Sequence, residues 1–237
     1  MRILPWAIGI SAVLFTGTAL AMRLRGKPAR AMSMAEAQEA MRAYANRGLV
    51  TILDEGSRMT VGGVIAGVQH SYLDGSGIHP RGQIDNLDPR FGVYLVRLDQ
   101  MLHSKGVTEL LDAGITHGGD NPDDVHNQGR AIDLAGLRGP RINLNVLKDW
   151  GQKPEVLKGG GVYRLGPLDD GYYLFRDIYD FGAREGADVN TRPEGAPPSR
   201  IGYPSYLITP DQPSPSLHAA HQNHLHLQVG RTVGIEP

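Results

Sequence analysis

Two spacings of apolar residues alternate along the chain, and they divide it into helices and strands. Ser33 opens SMAEAQEAMRAYANRG, where Ser33 and Glu36 form a capping-box pattern, strong helix formers follow and Gly48 stops the run; this predicts a helix. LVTIL (49–53) and RMTVGGVIAGVQH (58–70) read as strands, with glycines that mark a bend or bulge. From Pro89 the apolar positions Val93, Leu95, Val96, Leu98 and Leu102 recur at helical spacing, and Gly106 ends them. VTELLDAGI (107–115) returns to strand character. Residues 142–185 are mixed, with a helix predicted over GYYLFRDIYDFGAREG. The segment 190–215, with RPEGAPPSRIGYPS and PDQPSPS, is too irregular for regular elements and reads either as a surface excursion or as a wall over a site. HQNHLHLQV (221–229) closes the pattern as a strand. The sum predicts an α+β domain with a mainly antiparallel sheet and helices on its far face.

Composition narrows the chemistry. The chain has 237 residues, a formal net charge of −1 and no cysteine. Near-neutral charge offers no broad basic surface, so nucleic acid is not an expected partner. Without cysteine there are no disulfides and no thiolate ligands, and a metal site must use His, Asp or Glu. Residues 3–22, ILPWAIGISAVLFTGTALAM, form an uncharged run long enough to span a bilayer and end in Ala-Leu-Ala at 19–21. Residues 1–22 are therefore expected to be a cleaved export signal or a retained anchor. The expected organisation continues with a basic linker over 23–32, carrying Arg23, Arg25, Lys27 and Arg30, and a single domain over 33–237. The four positive charges after this run oppose translocation, but export to the periplasm or cell envelope is the expectation, in keeping with the resemblance described below, with residues 3–22 as a possible anchor and the expected contact with the membrane.

Three of the nine histidines fall within residues 221–226. On a strand, His224 and His226 point to one face while Leu225 and Leu227 point to the other, which sets two imidazoles side by side above an apolar underside. Upstream, DVHNQGRAIDLAGL places His126 and Asp133 seven apart. Gly129 permits a tight turn between them, and on the strand that follows Ala131 and Asp133 share a face. A buried carboxylate needs a cation or an arginine beside it, and two histidines with one aspartate leave a tetrahedral position open for water.

HNQGRAID followed far downstream by HLH resembles the zinc metallopeptidases that include D-alanyl-D-alanine peptidases, lysostaphin-like enzymes, murein endopeptidases and the hedgehog signalling domain. Their pattern is H-x-x-G-x-A-x-D and then an H-x-H strand. The resemblance implies an antiparallel sheet cupping a zinc ion held by His126, Asp133 and His226, with His224 as a catalytic imidazole. Where carboxypeptidase members carry a Glu or Asp shortly before H-x-H, this chain has His221, which is similar to the H-x-x-H-x-H run of penicillin-insensitive murein endopeptidases and implies a second catalytic imidazole. Asp124 stands where a serine is frequent, and AGITHGG replaces an arginine-bearing strand. Arg130 is a candidate for binding a substrate carboxylate. The function implied is zinc-dependent hydrolysis of peptide bonds in peptidoglycan cross-links or stem peptides. The alternative is a non-catalytic, zinc-stabilised domain that binds an envelope partner or wall polymer. H-E-x-x-H, G-x-S-x-G, P-loop and G-x-G-x-x-G patterns are absent from the sequence. His70, His79, His103, His117 and His218 are expected to be surface or structural residues.

Overall fold

The computed structural model describes residues 26–74, 77–117, 120, 122, 124–150, 152–153, 164–165, 170–186 and 222–230. The expected signal or anchor at 1–22 and the proline-rich segment at 190–215 lie outside these residues. Among the described residues, no helix is long and apolar enough to cross a membrane. After a single 3-10 turn (Ala29–Ala31), helix α1 spans Met34–Asn46 and strands β1 (Ile52–Glu55), β2 (Met59–Gly62), β3 (Val64–Ile65), β4 (Val68–Asp74), β5 (Gly77–Pro80) and β6 (Gln83–Leu87) follow. Helix α2 (Pro89–Ser104) precedes β7 (Glu109–Ile115), β8 (Ala131–Gly139), β9 (Ile142–Asn145) and the short helix α3 (Val146–Asp149). Strands β10 (Gln152–Lys153) and β11 (Arg164–Leu165), helix α4 (Asp170–Glu185) and strand β12 (Leu225–Gln228) complete the set.

The main sheet has the order β12-β8-β7-β4-β3, with β5 paired to β4 and β9 paired to β8. Its pairings are antiparallel except β4 with β7, which is parallel. A parallel pair needs a long crossover, and α2 lies within the chain that joins β4 to β7. The fold is thus mixed α+β, with antiparallel and mixed sheets. A second, three-stranded sheet has the order β1-β2-β6.

Helix α2 is the core element. Phe91, Val93, Tyr94, Leu95, Val96, Leu98 and Leu102 are all fully buried, so it is covered on nearly every side. Its N-cap is Asp88, whose Oδ1 accepts from the Arg90 amide at 2.9 Å while Oδ2 takes Arg58 Nη1 at 2.8 Å and Arg90 Nη2 at 2.9 Å. Burial raises the Asp88 pKa, but the bonds and charge of Arg90, with Arg58 beside them, hold it below the usual carboxylate range. The stretch expected as a linker differs from that reading from Lys27 onward. Lys27 pairs with Glu36, Arg30 Nη1 donates to the Ala183 carbonyl at the end of α4, and Ala29 and Met32 are buried. Its charges are used by neighbouring carboxylates and carbonyls rather than left in water.

A buried ion pair ties the sheet to α2. His70 on β4 and Asp99 on α2 meet at 2.7 Å, and neither is exposed. Burial pulls the His70 pKa down, yet Asp99 more than restores it and the net shift is upward. Burial likewise pushes Asp99 up against the opposing pull of His70. The pair therefore holds its proton more tightly than the unfolded chain does, and its stabilisation is present below the ordinary histidine value of 6.5 and lost as pH rises through the raised one. His70→Leu, which strands Asp99 in the core, is expected to cost about 3–5 kcal/mol in denaturant melts at pH 6, whereas H70L/D99L recovers part of that loss. The loss of stability above pH 6.5 should be larger in the wild type than in the double variant, which keeps only the contribution of the raised His226. Strictly additive single losses would show that the pair is not coupled.

Candidate metal centre

Two local structures bring the motif residues together. The first is the loop before β8. Its turns are closed by Gln128 N to Asp124 O at 3.0 Å, Gly129 N to His126 O at 2.8 Å and Arg130 N to Val125 O at 2.9 Å. Asp124 Oδ1 accepts from the His126 amide at 2.8 Å, which gives the residue at that position a structural task. Gly129 has φ +69°, and a Cβ there would lie 1.8 Å from the Asn86 carbonyl. Only glycine satisfies both conditions. The Gly129 carbonyl accepts from the Asp88 amide at 3.0 Å, which joins the loop to the start of α2.

The second is the register of β12 against β8. His226 stands directly opposite Asp133, flanked by the pairs Leu225–Leu134 and Leu227–Ile132. The four aliphatic residues are fully buried in the core. Each contributes roughly 1.5–3 kcal/mol by burial, so a one-residue slip, which would turn them outward and His226 inward, is prohibitive. On β7, Gly114 lies opposite Asp133.

Three imidazoles converge on one carboxylate oxygen. Asp133 Oδ1 lies 2.9 Å from His226 Nδ1, 3.4 Å from His126 Nε2 and 3.6 Å from His224 Nε2. Ligand atoms of His126, Asp133 and His226 all fall within 4.8 Å of one another, so this group can hold a metal ion. His126 and His226 are each 8% exposed, while the Asp133 side chain keeps 22% exposure, so the candidate centre is walled but reachable. Burial raises the Asp133 pKa, yet the bonds from His126 and His226 drive it far below the usual range and keep it ionised. Burial lowers His226, and Asp133 reverses this to a net rise. An ionised oxygen ringed by imidazole nitrogens is a cation site in its electrostatics, and two nitrogens with one oxygen suit a borderline divalent metal.

His224 differs from the other two. It falls outside the ligand group, and its Nδ1 meets Asn223 Oδ1 at 2.9 Å. Its other ring nitrogen, Nε2, faces Asp133 Oδ1. His221 lies outside the described residues. Arg130 is used differently from the expectation that it binds a substrate carboxylate. Its Nη1 donates to the Val229 carbonyl at 2.8 Å, Nε donates to Gln128 Oε1 at 3.1 Å, and Nη2 also meets Gln128 Oε1. The guanidinium straps the start of β8 to the end of β12.

Sequence reasoning did not single out Gln228, Asn86 or Thr116. Gln228 Oε1 lies 2.9 Å from His226 Nε2, and its place two residues on, on the same strand face, was the available signal. Thr116 has φ +57°, an unusual conformation for a β-branched residue that costs of order 1–3 kcal/mol. It is held by its amide bonded to Ala131 O and by Asn86 Nδ2, which donates at 2.9 Å both to its carbonyl and to that of Asn127. Nothing local in the sequence announces that strain. His117, just beyond, is exposed and pairs with Asp85 at 2.9 Å.

No protein-family model matches the chain, and searches of curated proteins and of solved structures return no match.

Single substitutions of His126, Asp133 or His226 by Ala are expected to remove most of the bound metal from protein that otherwise carries one ion per chain, as measured by metal analysis after dialysis. His224→Ala should retain it, because the coordinating group is left intact. Undiminished metal in all three ligand variants would refute the assignment.

Proposed function

We propose that this chain is a zinc-dependent hydrolase that cleaves peptide bonds in peptidoglycan cross-links or stem peptides. The observation that carries the reading is the convergence on Asp133 Oδ1 of two ligand imidazoles and a third, His224, whose Nε2 faces the same atom without belonging to the ligand group. A structural zinc site is closed by four protein ligands, whereas three ligands beside a proton-accepting group are what hydrolysis needs. The resemblance of HNQGRAID and HLH to the zinc peptidases points to the same chemistry and to murein as substrate, and residues 1–22, read as an export signal or anchor, would deliver the chain to the envelope.

His126, Asp133 and His226 would hold the ion. When bound, zinc supplies a Lewis acid for the scissile carbonyl and lowers the pKa of water. The protein's own groups move the protons. The Asn223 contact at Nδ1 leaves His224 Nε2 towards the centre, where in its neutral form it would accept a proton from the attacking water. His221, three residues earlier, is the second carrier: one of the two imidazoles takes that proton, and the other protonates the leaving amine or stabilises the tetrahedral oxyanion.

His221→Ala in the full chain is expected to leave zinc content and melting temperature nearly unchanged while lowering turnover of a cross-linked muropeptide by about a hundredfold or more, read by mass spectrometry of the products. Zinc-loaded wild-type protein that binds peptidoglycan but cleaves none of it would instead favour the non-catalytic binding domain.

A further inference from the structure

Behind the ligand pair lies a buried amide whose orientation is dictated by the backbone. Gln228 is 3% exposed and sits on the same face of β12 as His226. Its Nε2 donates to the Gly230 carbonyl at 2.7 Å, and its Oε1 lies 2.9 Å from His226 Nε2. A backbone carbonyl only accepts, so the amide nitrogen must face Gly230 and the amide oxygen must face the imidazole. An oxygen in turn accepts only from N–H, so His226 carries its hydrogen on Nε2 and presents Nδ1 to the centre. In the neutral ring that nitrogen bears a lone pair, and it lies 2.9 Å from Asp133 Oδ1, which bears lone pairs of its own. Two acceptors at that distance repel unless a cation lies between them, and either a proton on Nδ1 or a metal ion fills that role.

The anchor of this amide is itself anchored. Gly230 adopts φ +74° and its amide donates to Gly186 O, at the end of α4, at 2.9 Å. Val229 and Arg130 are tied twice, through Val229 N to Arg130 O at 2.9 Å and Arg130 Nη1 to Val229 O. Contacts thus run from the end of α4 through Gly230 and Gln228 to a ligand ring. On the other ligand, His126 Nδ1 is buried without a hydrogen-bond partner among the described residues.

We propose that Gln228 is the outer positioning residue of the metal centre, holding the His226 ring so that Nδ1 faces the ion. This rests on the reading of His126, Asp133 and His226 as a metal site and is independent of the substrate. Outer partners of metal-bound histidines typically contribute ten- to a hundredfold in affinity.

The test is zinc affinity of the purified full chain, measured by competition with a chromogenic chelator, for wild type, Gln228→Met and Gln228→Glu. Methionine matches the volume and lacks the acceptor; glutamate keeps an acceptor. Q228M is expected to bind zinc about ten- to a hundredfold more weakly with a metal-free melting temperature close to wild type, and Q228E to recover most of the affinity. Imidazole nitrogen shifts of zinc-loaded wild type should show His226 bound through Nδ1 with hydrogen on Nε2. Equal zinc affinity in wild type and Q228M, or ligation of His226 through Nε2, overturns the role of Gln228 and leaves the metal site standing. Wild-type protein that takes up no zinc overturns both.

Discussion

The antiparallel register between β12 and β8 is the constraint on which the site depends. Leu225 and Leu227 face the core with Ile132 and Leu134, and the strand period then places His226 beside Asp133 on the other face. The candidate ligands His226 and Asp133 are therefore positioned by apolar burial, a force indifferent to metal. The loop carrying His126 is fixed separately, by Gly129 against Asn86 and by its bond to the Asp88 amide at the head of α2. Core helix and functional loop thus share a joint, and strain at Thr116 is retained on the same lip through Asn86.

Charge is organised in layers around this register. Asp133 is ionised and ringed by imidazoles. Deeper in the same sheet, Asp112 is pushed up by burial against the charge of Arg81, which bonds it at 2.7 Å, and Asp133 adds to that rise. His70 and Asp99 form the next pair, between sheet and helix. Among the described residues each buried carboxylate has a cationic or imidazole partner, as burial of charge requires, and Asp133 differs in meeting three imidazoles while remaining partly open to solvent.

Much of this was legible in the chain because it depends on local periodicity. The capping box at Ser33, the helical spacing from Pro89 and the pattern of 171–186 correspond to α1, α2 and α4, and the i, i+2 alternation in AIDL and HLHL put His226 and Asp133 on matching faces. Strands β5 and β6 were not legible, because their glycines, prolines and asparagines read as loop and their pairing is decided by distant partners. The parallel pairing of β4 with β7 is equally non-local. Residues 27–32 looked like a basic linker because charge density says nothing of the carbonyls and carboxylates waiting at the end of α4. Arg130 and Gln228 illustrate the same limit within the site: what each side chain grips is set by the positions of Val229 and Gly230, which only the folded backbone defines.

The most direct test of the central claim, that the register assembles a metal centre, is anomalous diffraction at the zinc edge from crystals of the full chain grown with zinc. A single strong peak within about 2.0–2.2 Å of His126 Nε2, an Asp133 carboxylate oxygen and His226 Nδ1 is the predicted result. A crystal with no ordered zinc at these three residues, or with zinc bound only elsewhere, would contradict it.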